Sequence, residues 1–405
     1  MTKRIRLLLI SISCFLVFYV VIGGVLGQGN SSTDKTYRDL GVYTEVLSRI
    51  KTDYVTEPNL KKVTGGAIRG LLEALDPYST YFSPQEYQDY LAHPDPGPAD
   101  VGIFLSKKMG FATVVSVLPG SPAEKAGVKA GDLIDRVESS SARELSVVQI
   151  ERMLAGPTGT SVTLSVVKEA QGEPQKMTIQ RVPPAYPPVA AKMVEDNAAY
   201  IRVATFNKGK AAEISAKLKD LTGSHADKVV LDLRNCAGGE VDEAIQTASL
   251  FLDKGLVTYA QGQRYPRQDF PAKPEGAVIK LPLVVLINQS TAGPAELIAS
   301  AVLGNHRGEV VGVRSFGEGV VQKTIPVGDG SGLLLSVAKY YGLDGKSINE
   351  NGVTPSVVEM AGNETTSVDD ETAPQEPPNF GDKDDRQLRK ALDILKQENA
   401  PAKAA

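Results

Sequence analysis

The sequence predicts an α/β core on a largely parallel sheet, preceded by a smaller β-rich module and a helical segment at the N-terminus. Strand-like and helical runs alternate after residue 184, short strand patterns fill residues 101–182, and apolar residues recur at helical spacing from Tyr37 to Leu91. With 405 residues, 42% of them hydrophobic, the chain has material for two or three packed domains. Its 44 Lys and Arg against 48 Asp and Glu leave a net charge of −4, which offers no basic face to nucleic acid. His93, His225 and His306 stand far apart, and Cys14 and Cys236 form no ligand pair. No protein-built metal site is expected, no cofactor is implied, and the chain is not a disulfide scaffold.

Residues 1–30 read as a membrane anchor or a signal peptide. Lys3, Arg4 and Arg6 precede an apolar run from Leu7 to Leu26, long enough as a helix to span a bilayer. A cleaved leader has the same charged start and apolar middle. The length of the run, and the lack of a small-x-small alanine site after it, favour an uncleaved anchor with the rest of the chain outside. The expected location is therefore extracytoplasmic and membrane-anchored, or secreted or periplasmic if the leader is removed.

Residues 31–95 carry two helical stripes, Val42, Val46, Leu47 and Ile50, then Val63, Ala67, Ile68, Leu71, Leu72 and Leu75. Asp76-Pro77-Tyr78-Ser79 breaks the second, and the proline-rich His93–Pro98 reads as a linker. Residues 96–183 form the β-rich module, with one helix near Leu145–Leu154. The core, residues 184–360, has strands at 200–203, 228–233, 282–287 and 309–313 and helices at 210–221, 241–252 and 295–303. In such sheets function gathers where strands end and helices begin. Residues 361–405 hold ten acidic and six basic residues with several prolines and few large apolar ones, the composition of a disordered acidic tail. Leu388, Leu392 and Leu395 allow a short helix there, expected to be solvated and marginal.

Within the module, Val114 to Ile134 contains Pro119-Gly120-Ser121-Pro122-Ala123, a short helical run and Gly131-Asp132. This order resembles a PDZ domain. The resemblance implies that Val101, Gly102, Ile103 and Phe104 form the loop and strand that take a peptide's carboxylate and pair with its backbone. Three runs in the core resemble the carboxyl-terminal processing, or tail-specific, serine peptidases. They are Leu231-Asp232-Leu233-Arg234-Asn235-Cys236-Ala237-Gly238-Gly239, then Asn288 to Glu296, then Phe316 to Gln322. The likeness extends from roughly residue 40 to residue 360, including Asp76-Pro77-Tyr78-Ser79 early on and Ala338-Lys339-Tyr340-Tyr341 late.

The family implies hydrolysis near the C-termini of unfolded or tagged proteins by a Ser nucleophile and a Lys base, assisted by a Gln. The lysine must be kept neutral by desolvation, and the oxyanion needs preorganised N–H donors. Anchored on Asn288 and Glu296, the nucleophile position holds Gly293, the base position holds Glu318, and Gln322 falls where the assisting Gln belongs. Gly238 and Gly239 match the oxyanion turn, but the donor after the nucleophile is lost, since Pro294 has no N–H. Cys236 and Ala237 replace the usual Asn-Pro of that turn. Gly-Pro keeps a helix start with Glu296 at its third position. Ser290, Thr291, Lys323 and Cys236 are the available substitutes, and each has a plainer structural role.

The expected function is thus a pseudopeptidase that binds peptide C-termini or unfolded segments in the cell envelope, partnered by an active relative. The rival is an active serine-type endopeptidase with a shifted catalytic set. The resemblance also admits a homodimer.

Overall fold

The computed structural model describes residues 31–108, 110–168, 172–274, 276–361 and 380–398. The expected anchor and most of the expected disordered tail lie outside these residues. Among the described residues no helix is long and apolar enough to cross a membrane. Two compact units divide the chain between Ile68 and Arg69. The first contains helix α1 (Ser31–Asp53) and the start of α2 (Leu60–Glu73). On α1, Val42 and Val46 are exposed, so the stripe read from the sequence is not buried there.

In the second unit, Asp76 ends the approach from α2 by accepting from the N–H groups of Tyr78 (2.8 Å) and Ser79 (2.7 Å). β1 (Thr80–Phe82) follows, then α3 (Pro84–Ala92), which begins with a Ser83/Glu86 capping box.

The PDZ-like module is an antiparallel sheet in the order β2 (Ile103–Lys108), β3 (Phe111–Val117), β4 (Leu133–Val137), β6 (Ser161–Val167), β7 (Pro174–Gln180). The short β5 (Ser140–Ser141) pairs with β4. Alternate residues of β6, Val162, Leu164 and Val166, are fully buried, as the two-residue period of a half-covered strand requires. They pack with Ile150 and Leu154 of α5 (Val147–Leu154), whose N-terminus is capped reciprocally by Ser146 and Gln149. The short α4 is Pro122–Lys125.

The core sheet runs β17 (Val357–Val358), β14 (Glu309–Gly312), β13 (Leu283–Ile287), β10 (Lys228–Asp232), β9 (Ala198–Arg202), β8 (Ala190–Val194). All its pairings are parallel except β8 with β9. Both faces are covered, which is why β10 and β13 are apolar without alternation. Val229, Leu231, Val285 and Ile287 share one core with Ile214 of α6 (Lys210–Gly223), Ala244 of α7 (Val241–Ser249) and Ile298 of α8 (Pro294–Gly304). Val230, Val284, Leu286 and Tyr200 face α9 (Arg386–Glu398) on the other side.

Two expectations need correction. The core is not served by one largely parallel sheet. A second sheet, β1-β16-β11-β12 with β15 (Val320–Pro326) on β16 (Gly332–Tyr341), is wholly antiparallel; β11 is Leu256–Gln261 and β12 Gln268–Pro271. Nor are residues 380–398 a disordered, solvated tail. Leu388, Ala391, Leu392 and Leu395, at helical spacing, are buried against the sheet.

Candidate active site

Three loops leave the C-terminal ends of parallel strands and meet. The first, Asn235–Gly239, follows β10, the second, Asn288–Gly293, leads from β13 into α8, and the third, 313–319, joins β14 to β15. Side chains and backbone stitch the first two together. Asn288 Oδ1 accepts from Asn235 N–H (2.9 Å), Asn288 Nδ2 donates to Asn235 Oδ1 (2.6 Å), and Ala292 N–H donates to the Cys236 carbonyl (2.9 Å). The third is held by Phe316 N–H donating to the Thr291 carbonyl (3.0 Å).

Glu296, fully buried at the start of α8, ties the set together. Its Oε1 accepts from Ser315 Oγ (2.5 Å) and Gly317 N–H (2.8 Å), and its Oε2 from Glu318 N–H (2.8 Å) and Gly293 N–H (3.0 Å). Burial pushes this carboxyl up to about 8, against the pull of these four donors. The sequence identified Glu296 as a helix-start residue, whereas folded it is the acceptor on which the Gly293 loop and the 315–318 loop are both hung.

Gly293 and Glu318 face each other. A Cβ added at Gly293 would lie 3.7 Å from Glu318 Oε2. Gly293 has φ +62° and ψ −123°, a region that L residues enter only under strain. It therefore does more than serve as a tolerable cap, because glycine relieves a backbone tension that any side chain would carry. Pro294 is buried at the first helical position and supplies no N–H.

The partly buried Glu318 carboxylate has no hydrogen-bond or ion-pair partner among the described residues, and desolvation pushes it up to about 7. Between the ordinary 4.5 and about 7 the folded chain keeps a proton that the unfolded chain has lost, so stability falls as pH rises through this window. In Glu318→Gln that part of the slope is expected to vanish. Urea midpoints measured below and above the window should then lie closer together than in the wild type, and an unchanged difference would contradict the desolvated setting.

The side chain of Gln322 is engaged by the Asp76–Ser79 turn and not by this pair. Its Nε2 donates to the Tyr78 carbonyl (2.8 Å), joining β15 to the Asp76–Ser79 turn. The Tyr78 phenol is held above its ordinary value by burial and then by the charge of Glu318, and Ser106 of the module donates to its oxygen (3.3 Å). Gly238 and Gly239, at φ +70° and +107°, have N–H groups with no partner among the described residues. Against Gly238 lies the ring of Phe104, since a Cβ there would fall 2.3 Å from Phe104 Cε1.

The residues expected to line the peptide site thus separate. Val101 is buried in the module's own core with Ile103 packed against it, and Phe104 joins Val115, Ala237, Ala292 and Phe316 in a cluster with the core turn. Gly102 is buried as well, while Ile103 and Phe104 stay partly exposed. Sequence reasoning missed the contact of Phe104 with Gly238, because no local pattern marks a residue that packs between domains.

The four substitute groups sit in different settings. Thr291 Oγ1 donates to the Leu233 carbonyl (2.8 Å), and Ser290 is buried. Cys236 is fully buried, with its thiol pushed far up by burial and then by Asp232, so it carries little thiolate. Lys323 is exposed on β15 and is not paired with Glu318.

Residues 197–358 match the model of peptidase family S41, and residues 113–168 match a PDZ domain. The chain is 32% identical over 333 residues to a carboxy-terminal-processing protease of Bartonella bacilliformis, covering 81% of this chain and 76% of the relative. It is 31% identical over 350 residues to a carboxy-terminal processing protease of Bacillus subtilis, covering 85% and 74%. Among solved structures, a photosystem II D1 C-terminal processing protease superposes with a TM-score of 0.65 at 26% identity, over 78% of this chain and 92% of that one. Loops gathered at strand ends, a PDZ module set against them and these likenesses along most of the chain agree: the chain belongs to peptidase family S41, among the carboxyl-terminal processing proteases.

Proposed function

We propose that this family member binds extended peptide segments, terminal or internal, without hydrolysing them. One observation carries the reading: the two positions that face each other across the site are Gly293 and Glu318. A scissile carbonyl placed between them would meet no hydroxyl to attack it and no amine to accept the hydroxyl's proton. Pro294 removes one oxyanion donor as well, typically worth roughly 2.7–4 kcal/mol of transition-state stabilisation. The apolar run at residues 7–26 supports an anchored, extracytoplasmic location, and a non-cutting binder there would serve an active relative by presenting or withholding its substrates.

The purified chain is expected to leave a reduced, unfolded test protein and tail peptides intact while retaining them in a pull-down. Sustained cleavage that is lost on Ser290→Ala or Cys236→Ala would remove this reading in favour of an active endopeptidase. The combined Gly293→Ser, Pro294→Ala, Glu318→Lys change should introduce turnover. It should also cost about 1–3 kcal/mol of stability, because Ser at 293 takes on the positive-φ strain. A well-folded but inert triple variant would count against the roles given to these positions.

A further inference from the structure

The PDZ sheet ends in β2 on one side and in β7 on the other, and β2 is the edge that carries the Val101-Gly102-Ile103 loop. β2 pairs with β3 alone. Ile103 stands opposite Val117, and Leu118 N–H donates to the Gly102 carbonyl (2.8 Å), so the Ile103 N–H turns to the unpaired side. A peptide adding a strand here would bring its terminal carboxylate to the N–H groups of the Val101-Gly102-Ile103 loop.

One of those donors is already engaged. Gly102 N–H donates to Asp100 Oδ1 at 2.8 Å. The aspartate cannot easily swing away with its backbone, which is fixed to Val182 by a reciprocal pair of hydrogen bonds of 3.0 Å each. The loop is equally constrained. Gly102 is held at φ +80°, and a Cβ there would fall 2.3 Å from Ser121 Cβ. Among the described residues no cation pairs with Asp100, so an arriving carboxylate would meet its charge uncompensated.

We propose that Asp100 is a specificity-determining residue whose carboxylate fills the seat of a peptide's terminal carboxylate, so that the module takes internal stretches of extended chain, or carboxyl-blocked ends, in preference to free C-termini. This rests on the peptide-binding reading above. An internal segment forms the same strand pairing along β2 without bringing a second negative charge to the loop. Like charges a few ångströms apart at a partly desolvated site disfavour the free acid by roughly tenfold or more.

The test uses the full chain and decapeptides with an apolar last residue, each made both as the free acid and as the carboxamide. Wild type is expected to bind the amides at least tenfold more tightly than the acids. Asp100→Ala should gain about tenfold for the acids and little for the amides. Asp100→Asn keeps an acceptor for Gly102 N–H, and hence the loop, while removing the charge; it should gain for the acids as well. Acids binding more tightly than amides in wild type, or no gain for acids in either variant, would overturn the role of Asp100 and leave the peptide-binding reading standing. No binding of acids or amides by any of the three proteins would remove both.

Discussion

Glu296→Ala is expected to lose at least about 3 kcal/mol of stability, and the loops of the site should lose their order with it. The substitution strands the buried Gly317 N–H and Ser315 hydroxyl and the part-buried N–H groups of Gly293 and Glu318, which now share one carboxylate. Each buried donor left without a partner costs roughly 1–3 kcal/mol, and water entering the vacated space recovers only part of the sum. Glu296→Gln keeps one acceptor but turns an NH2 group toward two donors, so it should fall between Ala and wild type. Chemical denaturation reads the magnitude, and amide hydrogen exchange at residues 315–319 reads the location. A loss below about 1 kcal/mol for Glu296→Ala would mean that the loops are organised by something other than this carboxylate. The expectation bears on function because the same residue places both Gly293 and Glu318. This one carboxylate fixes the separation of Gly293 and Glu318, and with it the shape of the groove between them.

The second large effect lies directly before the Asn235–Gly239 turn. Arg234 is almost fully buried, with Nε and Nη2 on Asp232 (2.9 and 2.5 Å) and Nη1 and Nη2 on Asp385 (2.8 and 2.6 Å). Nη1 also donates to Gln387 Oε1 (3.0 Å), and the guanidinium lies 4.2 Å from the centroid of the Phe380 ring. Tyr200 donates its hydroxyl to Asp232 (2.6 Å). The planar fork of arginine meets each of the two carboxylates with two parallel donors, a geometry that lysine cannot supply. Arg234→Ala leaves Asp232 fully buried without its counter-charge, a change that typically costs about 3–5 kcal/mol. It also releases the polar anchor of α9, so hydrogen exchange over 386–398 should rise more than elsewhere in the core. Asp385→Asn keeps the geometry and weakens only the tie to α9. If it frees that helix as fully as Arg234→Ala does, the link to Asp232 contributes nothing to α9 docking; if neither change affects the helix, its apolar face alone holds it.

Packing of the PDZ module against the core gives these residues a common setting. Ser116 Oγ donates to the Asn235 carbonyl (2.7 Å), and Lys107 Nζ donates to Glu73 (2.8 Å) and to the Arg143 and Leu145 carbonyls (both 3.0 Å). The face of the module that carries Phe104 and Ser106 is thereby turned to the core, while the edge of β2 stays open.

Much of this protein could be read from residues close together in the chain. The alternation in β6, the unbroken apolar runs of β10 and β13, the Gly-Ser-Pro-Ala turn and the Gly293-Pro294 helix start are all local patterns, and backbone periodicity and sterics act locally. The expectation that Gly293, Pro294 and Glu318 stand where the resemblance implies a Ser, an N–H donor and a Lys is local in the same way, since it rests on residue identity at fixed spacing. Tertiary structure decided what depends on a distant partner. β1 at residues 80–82 joins β16 at 332–334, and Arg234 meets Asp385 151 residues away. Leu388, Leu392 and Leu395 had the spacing of a buried face, but whether such a face is covered depends on the sheet it meets rather than on the helix. The engagement of Gly102 by Asp100 and the contact of Phe104 with Gly238 likewise exist only once the chain has closed on itself, because hydrogen bonds and packing are settled by position in space and not by order along the backbone.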